Sequence, residues 1–168
     1  MSKKDKRQPK IASSPQGKEV RAQYQPHGRE VRARENPGST DHLSPAWQFH
    51  LCDTDHELWG WGKLEPKEFI TLITQHLQNN EKMTWGQIKQ AAGGKSSGTN
   101  SHPVPMSGFI THAQKRLREL KLDGYEELFS LRLNSTLRLY GIRDGRVLRF
   151  IWHDPHHGSK DGAYPTKK

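Results

Sequence analysis

The segment Leu128 to His157, LFSLRLNSTLRLYGIRDGRVLRFIWHDPHH, constrains the fold of this chain more than any other. Asp144-Gly145 stands between two runs of alternating residues, and such a dipeptide makes a two-residue hairpin turn because both central positions tolerate positive φ. That turn sets Tyr140 opposite Arg149. Upstream, the length of the first connection is decided by the faces it produces. A two-residue Asn134-Ser135 loop would put Leu131 beside Arg138 and mix them. A three-residue Asn134-Ser135-Thr136 loop aligns Phe129, Leu131 and Leu133 with Leu137 and Leu139, and then with Leu148, Phe150 and Trp152. Because a slip of one residue moves a whole apolar set to the other face, the three-residue loop is expected. The opposite face then carries Ser130, Arg132, Arg138, Tyr140, Arg149 and His153, with Ile142, Val147 and Ile151 between them. Solvated faces of half-buried antiparallel sheets also carry arginines, so this charge alone does not define a site.

Residues 1–45 are rich in Lys, Arg, Gln, Pro and Gly and nearly free of large apolar side chains. Such a stretch cannot bury enough surface to offset its ordering entropy, so it reads as a disordered basic tail ending near Ser44-Pro45. A domain spanning 46–168 follows. Trp47, Phe49 and Leu51 alternate as in an opening strand, and Trp59 and Trp61 are spaced to point the same way on a second one. Pro66 suits a first helical turn, with Phe69, Leu72, Ile73, His76 and Leu77 recurring at helical spacing. Thr84 and Gln87 make a capping box for a short second helix ending at Gly93-Gly94. Residues 93–106 read as a flexible Gly/Ser-rich loop closing in His102-Pro103-Val104-Pro105, where His102 is either a lid residue or simply exposed. Ser107 is a plausible N-cap for a third helix with Phe109, Ile110, Ala113, Leu117 and Leu120 inward and Lys115, Arg116, Arg118 and Lys121 outward. The fold class expected is α+β: an antiparallel sheet, made of the opening strand and the three-strand meander, with helices on one face and the arginine-bearing face open. Residues 158–168 are expected to be flexible.

Charge is concentrated at both ends. Residues 1–45 hold ten basic and five acidic residues, 46–107 five and six, and 108–168 twelve and seven, giving +9 for the chain. A polyanion such as RNA, DNA or a ribosome surface gains affinity from such charge through counterion release, although solubility alone is served as well. The single cysteine, Cys52, excludes an intramolecular disulfide and a multi-cysteine zinc site, which fits a reducing, cytoplasmic setting. No apolar run approaches a membrane span, so a soluble protein with no membrane partner is expected. Gly93-Gly94-Lys95-Ser96-Ser97 lacks the spacing of a phosphate loop. His153-Asp154-Pro155-His156-His157 lacks a helical metal-ligand spacing, and no cofactor is expected.

An initial strand, a helical segment and a terminal meander carrying Arg132 and Arg138, an Asp-Gly hairpin and a last strand ending in histidines resemble the RelE/YoeB superfamily of toxin ribonucleases. The resemblance is clearest over residues 128–157. It implies a metal-independent endoribonuclease that cleaves mRNA, often in the ribosomal A site, and is restrained by an antitoxin protein. By that resemblance Arg138 matches the central-strand arginine that contacts the scissile phosphate, and Arg132 a basic position of the preceding strand. His153, His156 and His157 fall where the family carries its last-strand catalytic residue, with no one histidine singled out. The basic tail, the loop 93–107 and the residues after the histidines depart from the family pattern.

Chemistry assigns roles on the same residues. Metal-free RNA cleavage needs a base for the 2′-hydroxyl, an acid for the leaving 5′-oxygen and cations around the phosphate. Histidine serves either proton role, and the arginine fork binds two phosphate oxygens at once. The expected catalytic set is therefore Arg138 and Arg132 as clamps, His153 or His156 as acid or base, and Tyr140 stacking or orienting, with Glu126 or Glu127 a weaker base. Arg149, Lys115 and Arg118 are expected to bind RNA. The alternative is a non-catalytic basic module of the same fold that binds nucleic acid or a partner protein.

Overall fold

The computed structural model describes residues 40–91 and 100–165. In chain order its elements are β1 (Ala46–Gln48), α1, α2 (Trp85–Gln90), β2 (His102–Pro105), α3 (Thr111–Glu119), β3 (Glu127–Arg132), β4 (Arg138–Asp144) and β5 (Val147–Asp154), where α1 joins Pro66–Glu68, a π-helical stretch Phe69–Thr74 and Gln75–Glu81. The strands form one five-stranded sheet ordered β1-β5-β4-β3-β2, in which β1 runs parallel to β5 and the other pairs are antiparallel. The architecture is α+β, with a mixed rather than a purely antiparallel sheet.

The first meander connection has the expected length. Leu131 lies opposite Leu139 and Arg132 opposite Arg138, and the Leu133 amide donates to the Leu137 carbonyl across the three-residue loop. The Asn134 side chain fixes that loop by accepting from the amides of Thr136 and Leu137.

At the second connection the central pair is Gly145-Arg146, one residue later than expected, so Ile142 rather than Tyr140 faces Arg149. Only Gly145 of the pair has positive φ, at 59°, which suits a glycine in the first central position. A bulge between Tyr140 and Gly141 then pairs Gly141 with Phe150 but Tyr140 with Trp152. Its effect is to exchange the faces of Trp152 and His153 relative to the expected alternation. Gly141 makes the bulge possible: a Cβ there would lie 2.3 Å from the Arg149 carbonyl oxygen. The carbonyl of Ile151, the extra residue, accepts from the Asp53 amide and the Trp61 indole.

The arginine-bearing face is not open. One face of the sheet packs Phe129, Leu131, Leu139, Leu148 and Phe150 against Ile73 and Leu77 of α1 and Trp85 and Ile88 of α2. The other packs Tyr140, Ile142, Ile151 and Trp152 against Ala113 and Leu117 of α3, together with Trp59, Phe109 and Ala163. The expectation of helices on one face fails because the bulge turns Trp152 into an apolar anchor on the second face. The stripe of the third helix then has a surface to cover. Its apolar inward residues are those expected, whereas Arg116, expected outward, turns in to bond Asp53; the helix starts at Thr111 after a 3-10 turn over Met106–Gly108, with no side-chain cap from Ser107. Trp59 and Trp61 join opposite clusters, since Trp61 begins a 3-10 turn rather than continuing a strand.

Three stretches expected to be irregular are built into the fold. Thr40, Asp41 and Leu43 bond to the second hairpin and to α2, so the fold includes residues before Pro45; the rest of the basic tail lies outside the described residues, as does Lys95. Among the described residues His102-Pro103-Val104-Pro105 is an edge strand, where prolines are tolerated because one side of the strand has no neighbour to receive an N–H. Residues 158–165 return across α3: the Ala163 amide donates to the Asp154 carboxylate, the Ile110 amide donates to the Ala163 carbonyl, and Tyr164 packs edge-on against Phe109.

Candidate nucleic-acid interface

Strand register brings two rows of polar residues to the loop end of the second face. His102 of β2, Ser130 of β3 and Tyr140 of β4 lie side by side, and the next row holds Arg132, Arg138 and Asp154. The turn after β5 adds His157, whose amide donates to the Thr136 carbonyl and whose Nδ1 lies 3.0 Å from the Tyr140 hydroxyl. Ser130 also hydrogen-bonds Tyr140, and the Arg132 amide donates to the Ser101 hydroxyl at 3.0 Å. Two arginines, two histidines, a phenol and a hydroxyl therefore converge from four segments. His102 is exposed, His157 and Arg132 are half-buried, and Tyr140 is fully buried.

Arg138 is only 4% exposed, and its Nη1 donates to the carbonyls of Asn134 and Leu137 at 2.7 and 3.0 Å. Burial first, and then the charge of Arg132, push its guanidinium below the usual value. Arg138 thus braces the β3–β4 loop while holding positive charge behind the site. Burial and then the charges of Arg138, His102 and Arg132 hold the His157 imidazole down at about 4. Burial, with nearby Asp154, raises the Tyr140 phenol, which stays protonated.

The histidines chosen from the sequence fare differently. His153, expected on the arginine face, points to the other one: it pairs with Leu139, its ring lies 6.0 Å from that of Trp61, and neither ring nitrogen has a hydrogen-bond partner among the described residues. Burial, aided by the charge of His156, holds it down at about 4. The bulge is the physical reason for this correction. His156 is exposed on the turn, its amide donating to Asp154. The Asp154 carboxylate is occupied by the amides of His156 and Ala163, and among the described residues no group of His, Cys, Asp and Glu is arranged to hold a metal ion.

The remaining cations lie elsewhere. Arg149 is opposite Ile142, toward the far turn, and ion-pairs with Asp144. Lys115 and Arg118 are exposed on α3. Between them Arg116 turns inward and grips Asp53 through Nε and Nη2 at 2.8 and 2.7 Å, with the Trp152 indole on the same carboxylate. Burial alone would raise Asp53, but these donors and the Asp55 amide hold it at about 2. Glu126 and Glu127 sit at the start of β3, where the Glu126 carbonyl accepts from Met106. Burial pushes the Cys52 thiol up to about 12, which keeps it protonated.

The sequence placed His102 in a loop, as a lid residue or simply exposed, because Pro103 and Pro105 disguised its strand, and it left His157 undistinguished within its cluster. The alternation that put Ser130 and Arg132 on one face was the available signal.

No family model, curated protein or solved structure matches the chain. No helix among the described residues is long and apolar enough to cross a membrane.

Proposed function

We propose that this protein is a RelE-like endoribonuclease that cleaves mRNA without a metal, acting as the toxin of a toxin-antitoxin pair. The convergence of Arg132, Arg138, Tyr140, His102 and His157 at one end of the sheet carries the reading. A phosphodiester placed there meets the forked donor of Arg132, a buried positive charge from Arg138, and imidazoles suited to moving protons. The net charge of +9 favours a polyanionic substrate. RNA, in the cytoplasm and on or off the ribosome, is the substrate in this reading, and an antitoxin protein is the partner.

A second reading is favoured by the bonds of Arg138. An arginine committed to loop carbonyls also suits a non-catalytic module that holds RNA through Arg132 and the exposed cations of α3.

One assay separates them. Purified full-length protein is incubated with labelled mRNA and excess chelator, with and without ribosomes, beside Arg132→Ala. For the nuclease, cleavage survives the chelator and falls about 10²-fold or more in the variant, as expected when a transition-state cation is lost. Salt-sensitive RNA binding with no cleavage under either condition identifies the binding module instead.

A further inference from the structure

Resting on the nuclease reading, we infer that His102 and His157 are the proton-transfer pair of this site, His157 taking the proton of a ribose 2′-hydroxyl and His102 giving one to the departing 5′-oxygen.

The hydrogen bonds single out one nitrogen of each ring. Nδ1 of His102 lies 2.6 Å from the Asn100 carbonyl oxygen. A carbonyl only accepts, so Nδ1 carries hydrogen in both the neutral and the charged ring, and Nε2 is the nitrogen that gains and loses a proton. The ring is exposed, so Nε2 can be reloaded from water. In His157, Nδ1 is the nitrogen that faces Tyr140, which leaves Nε2 for substrate. When Nδ1–H donates to the phenol oxygen, the phenol hydrogen is available to Ser130 and Nε2 of the neutral ring presents its lone pair. Burial and the surrounding cations keep His157 neutral at physiological pH, as a base requires.

The assignment follows from these two environments. The buried ring among arginines begins uncharged and accepts; the exposed ring on the edge strand, whose Nε2 can exchange protons with water, donates. The 2′-oxygen forms a bond to phosphorus as its proton passes to Nε2 of His157, the bond from phosphorus to the 5′-oxygen breaks, and that oxygen takes the proton from Nε2 of His102. The products are a 2′,3′-cyclic phosphate and a 5′-hydroxyl. Exchange with water returns both rings to their starting states.

The test compares two substrates in the full-length protein: the dinucleotide UpA, whose leaving oxygen needs a proton, and uridine 3′-(4-nitrophenyl phosphate), whose leaving group does not. His102→Ala is expected to slow UpA cleavage by about 10²–10⁴-fold, the usual worth of a general acid, while the nitrophenyl ester stays within about tenfold of wild type. His157→Ala and the bulkier His157→Gln are expected to slow both substrates. In wild type, imidazole ¹⁵N shifts are expected to report the Nδ1–H form of His157, and Tyr140→Phe to abolish that preference. Equal effects of His102→Ala on both substrates, or full activity of both His157 variants, would overturn the pair while leaving the nuclease reading intact. A wild type inert on both substrates and on mRNA overturns the nuclease reading and the pair with it.

Discussion

His153 shows how one residue couples the site's surroundings to pH. It is 5% exposed, with both ring nitrogens unbonded among the described residues, so its charged form is strongly disfavoured in the fold. Its folded value, about 4, lies below the ordinary 6.5 it regains in the open chain. The unfolded chain therefore binds the proton first, and the associated stability is complete above pH 6.5 and is lost as pH falls toward 4. The difference amounts to at most about 3 kcal/mol. His153→Leu is expected to raise the thermal midpoint near pH 5 and flatten its decline between pH 7 and 4, with some slope remaining from His157. Melting curves across that range check this, and parallel curves for variant and wild type would sink it. Asp53 works at lower pH: its value of about 2 lies below the ordinary 3.8, so its stabilisation is present above 3.8 and disappears as pH falls through 2.

The decisive element is the bulge in the β4–β5 hairpin. It sends Trp152 toward α3 and His153 toward Trp61, and Gly141 permits it by leaving room for the Arg149 carbonyl. Gly141→Ala places a methyl group against backbone rather than a yielding side chain, and a loss of about 2–3 kcal/mol is expected. Urea unfolding measures it; an unchanged midpoint would mean that the hairpin can shift without cost. Much of the meander was legible in the sequence, because the alternation of Leu131, Leu133, Leu137 and Leu139 admits one loop length between the first two strands. The bulge was not, since alternation assumes a constant period and a single glycine does not announce the carbonyl it must accommodate. The β2 strand was missed for a related reason: prolines argue against a strand unless its place at a sheet edge is already known.

On the scale of the whole molecule, the residues after β5 hold the second layer in place. The Asp154 carboxylate receives amides from two turns, and burial raises its proton affinity so far as those donors do not offset it. Trp59 donates its indole N–H to the Asp161 carbonyl, and Ala163 is fully buried beneath α3. Deleting residues 158–168 exposes this layer and leaves Asp154 without the Ala163 amide, so a loss of about 3 kcal/mol or more is expected from cavity and unpaired-group costs together. Denaturant unfolding of the truncated and full chains checks it. A truncation without effect would return those residues to the flexible extension that their composition suggests.

By itself the sequence determined the α+β class, the meander and its first register, the capping box of α2, the inward stripe of α3 and the gathering of Ser130, Arg132, Arg138 and Tyr140 on one face. These follow from local periodicity and turn chemistry, which act over a few residues. Only the tertiary structure decided that both faces are covered, that His153 leaves the arginine face, that Arg138 braces a loop, and that His102 and His157 approach one another. Those outcomes depend on a bulge, an edge-strand pairing and a returning terminus, contacts between segments far apart in the chain that no local pattern encodes.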